Sequence, residues 1–188
     1  MASSVEIANM GLTLIGANRI TSLTEDSEEA REVNALWTIV RDEVLRSHTW
    51  NFAINRASLA QLASTPAYGF TYEYQLPPDC IRVLAMELEE TFDWQIEGSK
   101  IRTDNGECKI KYVYRQEDTA SWDPSFVGAF AARLAAELAF NNSANATFHT
   151  TMMDLYYKKI NMARGADSQE GTPQELTNSL WEDARQIE

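Results

Sequence analysis

The period of the hydrophobic residues changes twice along this chain, and no single-layer fold accommodates that. In "RSHTWNFAINRASLAQL" (Arg46 to Leu62) a helical pattern gives way to Trp50 and Phe52 at alternate positions, followed by Ala53, Ile54, Arg56, Leu59 and Leu62. Helical faces repeat about every 3.6 residues and strand faces every second residue, so this stretch marks a junction where a helical layer hands over to a sheet. From Tyr68 onward Phe70, Tyr72, Tyr74 and Leu76 alternate with smaller or polar residues, until Pro77-Pro78 removes successive backbone donors. The helical period returns at "SWDPSFVGAFAARLAAELAF". The fold class this implies is α+β: a helical bundle of about four helices with an inserted antiparallel β lobe and an extended C-terminal arm. Residues 1–65 and 119–165 are expected to form the helical body, 66–118 the β lobe and 166–188 the arm.

The helices carry their own punctuation. Ser3 with Glu6 makes a capping box, Val5, Ala8, Leu12 and Ile15 follow at helical spacing, and Gly16 closes the segment. A second helix is expected from about Asp26 to His48, capped by Ser22, Thr24 or Asp26, with Val33, Leu36, Trp37, Val40 and Val44 inward. In the third, Asp123 caps, Pro124 takes the first position, and Val127, Phe130, Leu134 and Leu138 make one stripe. Gly128, Ala131, Ala132, Ala135 and Ala136 leave little bulk there, which lets another helix approach closely, from the same subunit or a neighbour. A fourth helix, roughly Ala146 to Arg164, carries Met153, Tyr156, Ile160 and Ala163, with Gly165 as its stop.

In the lobe, "IRVLAMEL", "WQIEG", "KIRT" and "CKIKYVYR" read as strands of an antiparallel sheet, with Asn105-Gly106 as a hairpin turn joining the last two. The final segment, "ADSQEGTPQELTNSLWEDARQIE", is polar, acidic and broken by Gly171 and Pro173. Leu176, Leu180, Trp181, Ala184 and Ile187 nevertheless recur at helical spacing. It reads as an arm tipped by an amphipathic anchor, with Leu176, Leu180 and Trp181 the candidate partner-binding residues. The plainer alternative is a terminal helix folded back on its own core.

Composition bounds the function. With 188 residues, 44% of them hydrophobic and 23% charged, the chain holds enough apolar surface for one folded core without disulfide staples. The 28 acidic and 16 basic residues give a net charge of −12, which repels phosphate backbones and disfavours nonspecific nucleic-acid binding. Such a sign suits a channel wall that DNA slides past, although solubility alone explains it as well. Cys80 and Cys108 lack zinc-ligand or C-x-x-C spacing and read as reduced, half-buried core residues. No secretion signal or membrane span is expected, since no apolar run reaches about 18 residues.

Reaction chemistry is sparse. No nucleophile elbow, zinc-protease, dinucleotide, phosphate-loop or calcium-loop motif occurs, and only His48 and His149 titrate near neutrality. His48, at the end of the second helix, is expected to serve exposed carbonyls there, and His149 to face solvent. Carboxylates are plentiful enough for a glycoside hydrolase pair, but Glu87, Glu89 and Glu90 read more simply as the wet face and end of a strand. Tyr72, Tyr74, Trp94, Tyr112 and Tyr114 offer faces for bases to stack on. Single-strand binders join such rings to a positive groove, whereas here Lys109, Lys111 and Arg115 fall on the opposite strand face. No catalytic, cofactor-binding or metal-ligating residue is expected.

Taken in order, "LIGANRITSLTEDSEEAREVNALWTIVRDEVLRSHTWNFAINRASLA", "YGFTYEYQLPPDCIRVL", "WQIEG", "YVYRQEDTASWDPSFVGAFAARLAAELA" and "QEGTP" cover most of the chain. In this ordered series the sequence resembles the tail tubular protein A family, the head-to-tail adaptors of short-tailed phages. One departure is Thr49, where family members often have proline before Trp50-Asn51-Phe52; threonine permits the same exit from the helix. The resemblance implies a non-enzymatic structural connector of the virion tail, present in the host cytoplasm before assembly. It implies a homo-oligomeric ring of about twelve copies, closed by heterologous contacts, between the portal protein and the tail nozzle or tube. DNA would pass through its channel during genome ejection without specific binding, and no membrane is involved. A long-tailed phage or prophage could carry a similar adaptor. The alternative function is a virion-associated cell-wall glycan hydrolase. In the connector, Trp50 and Phe52 would be the structural junction that fixes the angle between helical body and lobe.

Overall fold

The computed structural model describes residues 2–87, 91–142 and 146–170. It is mixed α+β, with four helices and two small antiparallel sheets. Helix α1 (Ser4–Ile15) starts at the expected capping box: Ser3 Oγ accepts from Glu6 N at 3.2 Å, and Glu6 Oε2 accepts from Ser3 N at 2.7 Å. It ends at Gly16, which takes the left-handed conformation (φ 73°) that a helix C-terminus favours.

Helix α2 (Glu28–Arg46) begins two residues later and ends two earlier than the sequence suggests. Its cap is Ser27, whose Oγ accepts from Ala30 N at 3.2 Å, not Ser22, Thr24 or Asp26. The reason is Glu25. Its carboxylate accepts from Thr21 N and Oγ1 at 2.7 and 2.6 Å and from Ser27 Oγ at 2.8 Å, folding residues 21–27 into a turn. Those donors, Thr21 first, pull the Glu25 carboxyl down to about 2.

Helices α3 (Pro124–Asn142) and α4 (Ala146–Ser168) complete the body. Asp123 Oδ1 caps α3 by accepting from Ser125 N and Phe126 N at 2.8 and 3.3 Å. Phe126, Phe130, Leu134 and Leu138 are fully buried, so α3 is the centre on which the others pack. The small stripe is used within the subunit, because a Cβ on Gly11 of α1 would lie 3.2 Å from Ala131 O of α3.

The lobe holds six strands: β1 (Ile54–Leu59), β2 (Tyr72–Gln75), β3 (Cys80–Met86), β4 (Trp94–Glu97), β5 (Lys100–Thr103) and β6 (Cys108–Tyr114). One sheet runs β1-β6-β3 and the other β2-β5-β4, all pairs antiparallel. Residues 54–59, expected to belong with the helical body, pair along their whole length with β6.

The expected hairpin at Asn105-Gly106 is corrected: β5 and β6 do not pair and belong to different sheets. A two-residue hairpin turn needs positive φ, and Gly106 does not adopt it. Asn105 instead folds the chain through its side chain, Oδ1 accepting from Glu107 N at 3.2 Å, and so carries it from one sheet to the other. The true hairpin is β4–β5, turned at Gly98 (φ 61°). Facing side chains of the sheets, Tyr74 and Ile101 from one and Met86, Cys108, Ile110 and Tyr112 from the other, form a second core.

Candidate functional site

Helical body, β lobe and the end of the fourth helix converge at one junction. Trp50 is fully buried, and its indole Nε1 donates to Val44 O at 3.0 Å, a carbonyl freed by the end of α2. Its ring meets Phe126 of α3 edge-on at 5.0 Å, and half-buried Phe52 meets the same ring at 4.9 Å. Asn51–Ala53 form one turn of 3-10 helix rather than the extended stretch that the alternate spacing suggests, and this turn sets two aromatic rings against one phenylalanine just before the backbone enters β1.

From the lobe side, β3 supplies the matching surface through two irregularities. Its register with β6 shifts between Cys80 and Arg82 and again between Val83 and Ala85. The intervening residues, Ile81 and Leu84, pack on the helical core together with buried Val113 of β6. A bulge re-aims a side chain that strict alternation would send elsewhere. Polar ties flank the contact: Arg46 donates to Ile81 O, and Arg115 at the end of β6 pairs with Asp42 of α2 at 2.8 Å.

The third component is the end of α4, which corrects another expectation. Gly165 does not stop the helix; it lies exposed within it, and helix continues to Ser168. The added turn delivers Asp167, only 6% exposed, to the junction. Asp167 Oδ1 accepts from Asn51 N at 2.9 Å, its backbone O accepts from Asn51 Nδ2 at 2.7 Å, and Oδ2 lies 3.2 Å from His48 Nε2. Arg164 Nη2 adds a bond to Ser47 O at 3.1 Å.

His48 therefore serves a carboxylate rather than free helix carbonyls. Burial pushes its pKa below the usual 6.5, against the opposing pull of Asp167 and with a further push from Arg164 and Arg82. The contact is then a hydrogen bond from a neutral ring near neutral pH, not an ion pair. His149, expected in solvent, is half-buried on α4.

No family model matches the chain, and no curated protein matches its sequence.

The rings of Trp50 and Phe52 lie 6.1 Å apart. Leu176, Leu180 and Trp181 lie outside the described residues, as do Glu89 and Glu90. Asp167 has a signal in the sequence: Tyr156, Ile160, Ala163 and Asp167 continue one buried stripe at spacings of four, three and four, past the glycine at 165.

The remaining ionisable groups act as ties. Buried Glu73 accepts from Lys100 Nζ at 2.7 Å and from Arg102 Nε at 3.1 Å, and these bonds, Lys100 foremost, hold its carboxyl below the ordinary range. Cys108 is buried and free, its thiol pushed up to about 11 by desolvation, while Cys80 is half-buried and shifted the same way. Among the described residues, no group of three or more His, Cys, Asp or Glu is placed to hold a metal, and no helix is long and apolar enough to cross a membrane.

Proposed function

We propose that the chain is a structural head-to-tail connector of a phage virion, one of about twelve copies in a ring between portal and tail nozzle through which DNA passes. The observation that supports this most is the continuity of packing across the junction. Trp50 and Phe52 from one side, and Ile81, Leu84 and Val113 from the other, join body and lobe in a single core. A small error in the angle between them repeats at every interface of a ring, so a subunit of this kind needs that rigidity. The ordered sequence resemblance to tail tubular adaptors points to the same role.

A glycan hydrolase needs a carboxyl whose pKa is raised so that it can donate a proton. Among the described residues, the carboxyls shifted from their ordinary values, Glu6, Glu25, Glu29 and Glu73, are all shifted downward. The deciding experiment is electron microscopy of the purified protein, alone and mixed with portal. Rings or capped portals are expected; uncapped portals, or measurable turnover of peptidoglycan, would overturn the reading.

A further inference from the structure

The face of the β1-β6-β3 sheet that meets the helical body runs on past it. Ile54 and Val113, paired across β1 and β6, lie at the junction end, whereas the next pair on that face is Arg56 opposite Lys111, followed by Ser58 opposite Lys109. The sheet face thus changes from apolar to cationic within two residues. On β3 the same stretch places Ala85 opposite Lys111, and Glu87 N donates to Lys109 O at 2.8 Å. Arg56, Ser58, Ala85, Glu87, Lys109 and Lys111 line a groove of about 460 Å³.

Among the described residues, its charge is balanced only in part. Lys109 pairs with Glu87 at 2.7 Å and with Glu107 at 3.6 Å, but Arg56 and Lys111 form no ion pair with a described residue. Like charges directly opposite on neighbouring strands destabilise a sheet. Arg56 stands directly opposite Lys111 in this chain of net charge −12.

The complement lies at the far end of α2. The turn before that helix is fixed by Glu25, and it presents exposed Glu28 and Asp26, whose side chain is 97% exposed and pairs with Arg31, itself 64% exposed, an exposed pair that contributes little and can exchange partners. The turn opens α2, a helix of 19 residues and about 28 Å at 1.5 Å per residue, whereas the groove lies on strands that follow the other end of that helix, so the two suit different neighbours rather than each other. Two unlike patches at opposite ends generate a heterologous contact, the kind that closes rings. Polyanionic DNA fits less well, because Glu87 and Glu107 stand beside a set of only three cations.

We propose that the Arg56–Lys111 groove is a subunit interface that receives the carboxylates of Asp26 and Glu28 from a second copy of this chain. This builds on the ring reading and names one contact within it. The test is zero-length carbodiimide coupling of lysines to carboxylates in an equal mixture of ordinary and 15N-labelled protein, free and with portal. Mixed-isotope peptides joining Lys111 to Asp26 or Glu28 are expected, and they should diminish at high salt.

The double variant R56Q/K111Q should weaken self-association about tenfold, the effect of losing one good charged contact. Its melting temperature should hold or rise, since a like-charge pair has been removed. K111E should weaken association similarly, and adding E28K should restore it. Absence of the mixed cross-links in free and portal-bound protein alike, or unchanged association in R56Q/K111Q, overturns the contact. So does duplex DNA retained by the wild type and released by R56Q/K111Q. Rings that cap portals without these cross-links would leave the connector reading standing, while cross-linked assemblies that never cap portals would do the reverse.

Discussion

At Trp50 three demands meet in one side chain: filling the core, closing the end of α2 and fixing where β1 starts. Truncating it to alanine should cost about 3 to 5 kcal/mol, through lost burial and a cavity beside Phe126. Urea titration of the variant checks this; a loss under 1 kcal/mol would mean that the site collapses around the gap. Asp167→Ala should cost roughly 2 to 3 kcal/mol, because it leaves Asn51 N and His48 without their acceptor. His48 sets a pH dependence whose sign follows from its lowered pKa. The unfolded chain binds the proton more tightly, so this contribution is intact above about pH 6.5 and is lost as pH falls through the lower folded value. Melting temperature measured downward from about pH 7.5 should fall in the wild type more steeply than in His48→Gln. The aromatic pair was legible in the sequence because large rings just past a helix end announce burial, whereas the alternation between them does not mark a strand but spans the 3-10 turn Asn51–Ala53. Asp167 was not, because a glycine two residues earlier outweighs a single charged residue in any reading by propensity, whereas in the fold a buried stripe overrules the glycine.

Among the elements, α1 and α3 meet through the absence of side chains. Gly11 lies so close to Ala131 O that a valine there must push the helices apart, and a loss of about 1 to 3 kcal/mol is expected by thermal or urea unfolding. Gly165 is the opposite case: an added Cβ meets nothing within 4 Å, so Gly165→Ala should stabilise the protein by about 0.5 to 1 kcal/mol. A loss would show that α4 needs the flexibility there. Helix identity and the caps of α1 and α3 were readable because capping chemistry is local. Strand partnership was not, since Asn105-Gly106 is as competent to carry the chain between sheets as to reverse it within one. Which happens is decided by distant groups, such as Tyr74 OH donating to Asn105 O at 2.9 Å. The bulges of β3 have no local signature either. They become visible only when Ile81 and Leu84 are seen to need a helical core to rest on.

For the whole molecule, shared burial at the junction predicts a single unfolding event. Far-ultraviolet circular dichroism, which weights the helices, and tyrosine fluorescence with tryptophan emission, which also sample the lobe, should give coincident midpoints. Separate midpoints would show that body and lobe melt independently and would remove the rigidity on which the connector reading depends. The α+β class was readable because it rests on hydrophobic period alone. The division of the lobe into two facing sheets depends on pairings between residues as far apart as Leu59 and Cys108, which no local window contains.

The bonds from Asp167 and Arg164 to residues 47–51 also decide where this protein can be cut. Cleavage after Glu170 spares every one of them. Cleavage only a turn earlier removes a buried acid whose partners lie more than a hundred positions back in the chain, and the damage should surface at the exit of α2. Of two truncated chains, one ending at Glu170 and one at Ala166, the shorter should unfold at clearly lower urea, and equal midpoints would show that the buried acid does not hold that exit in place.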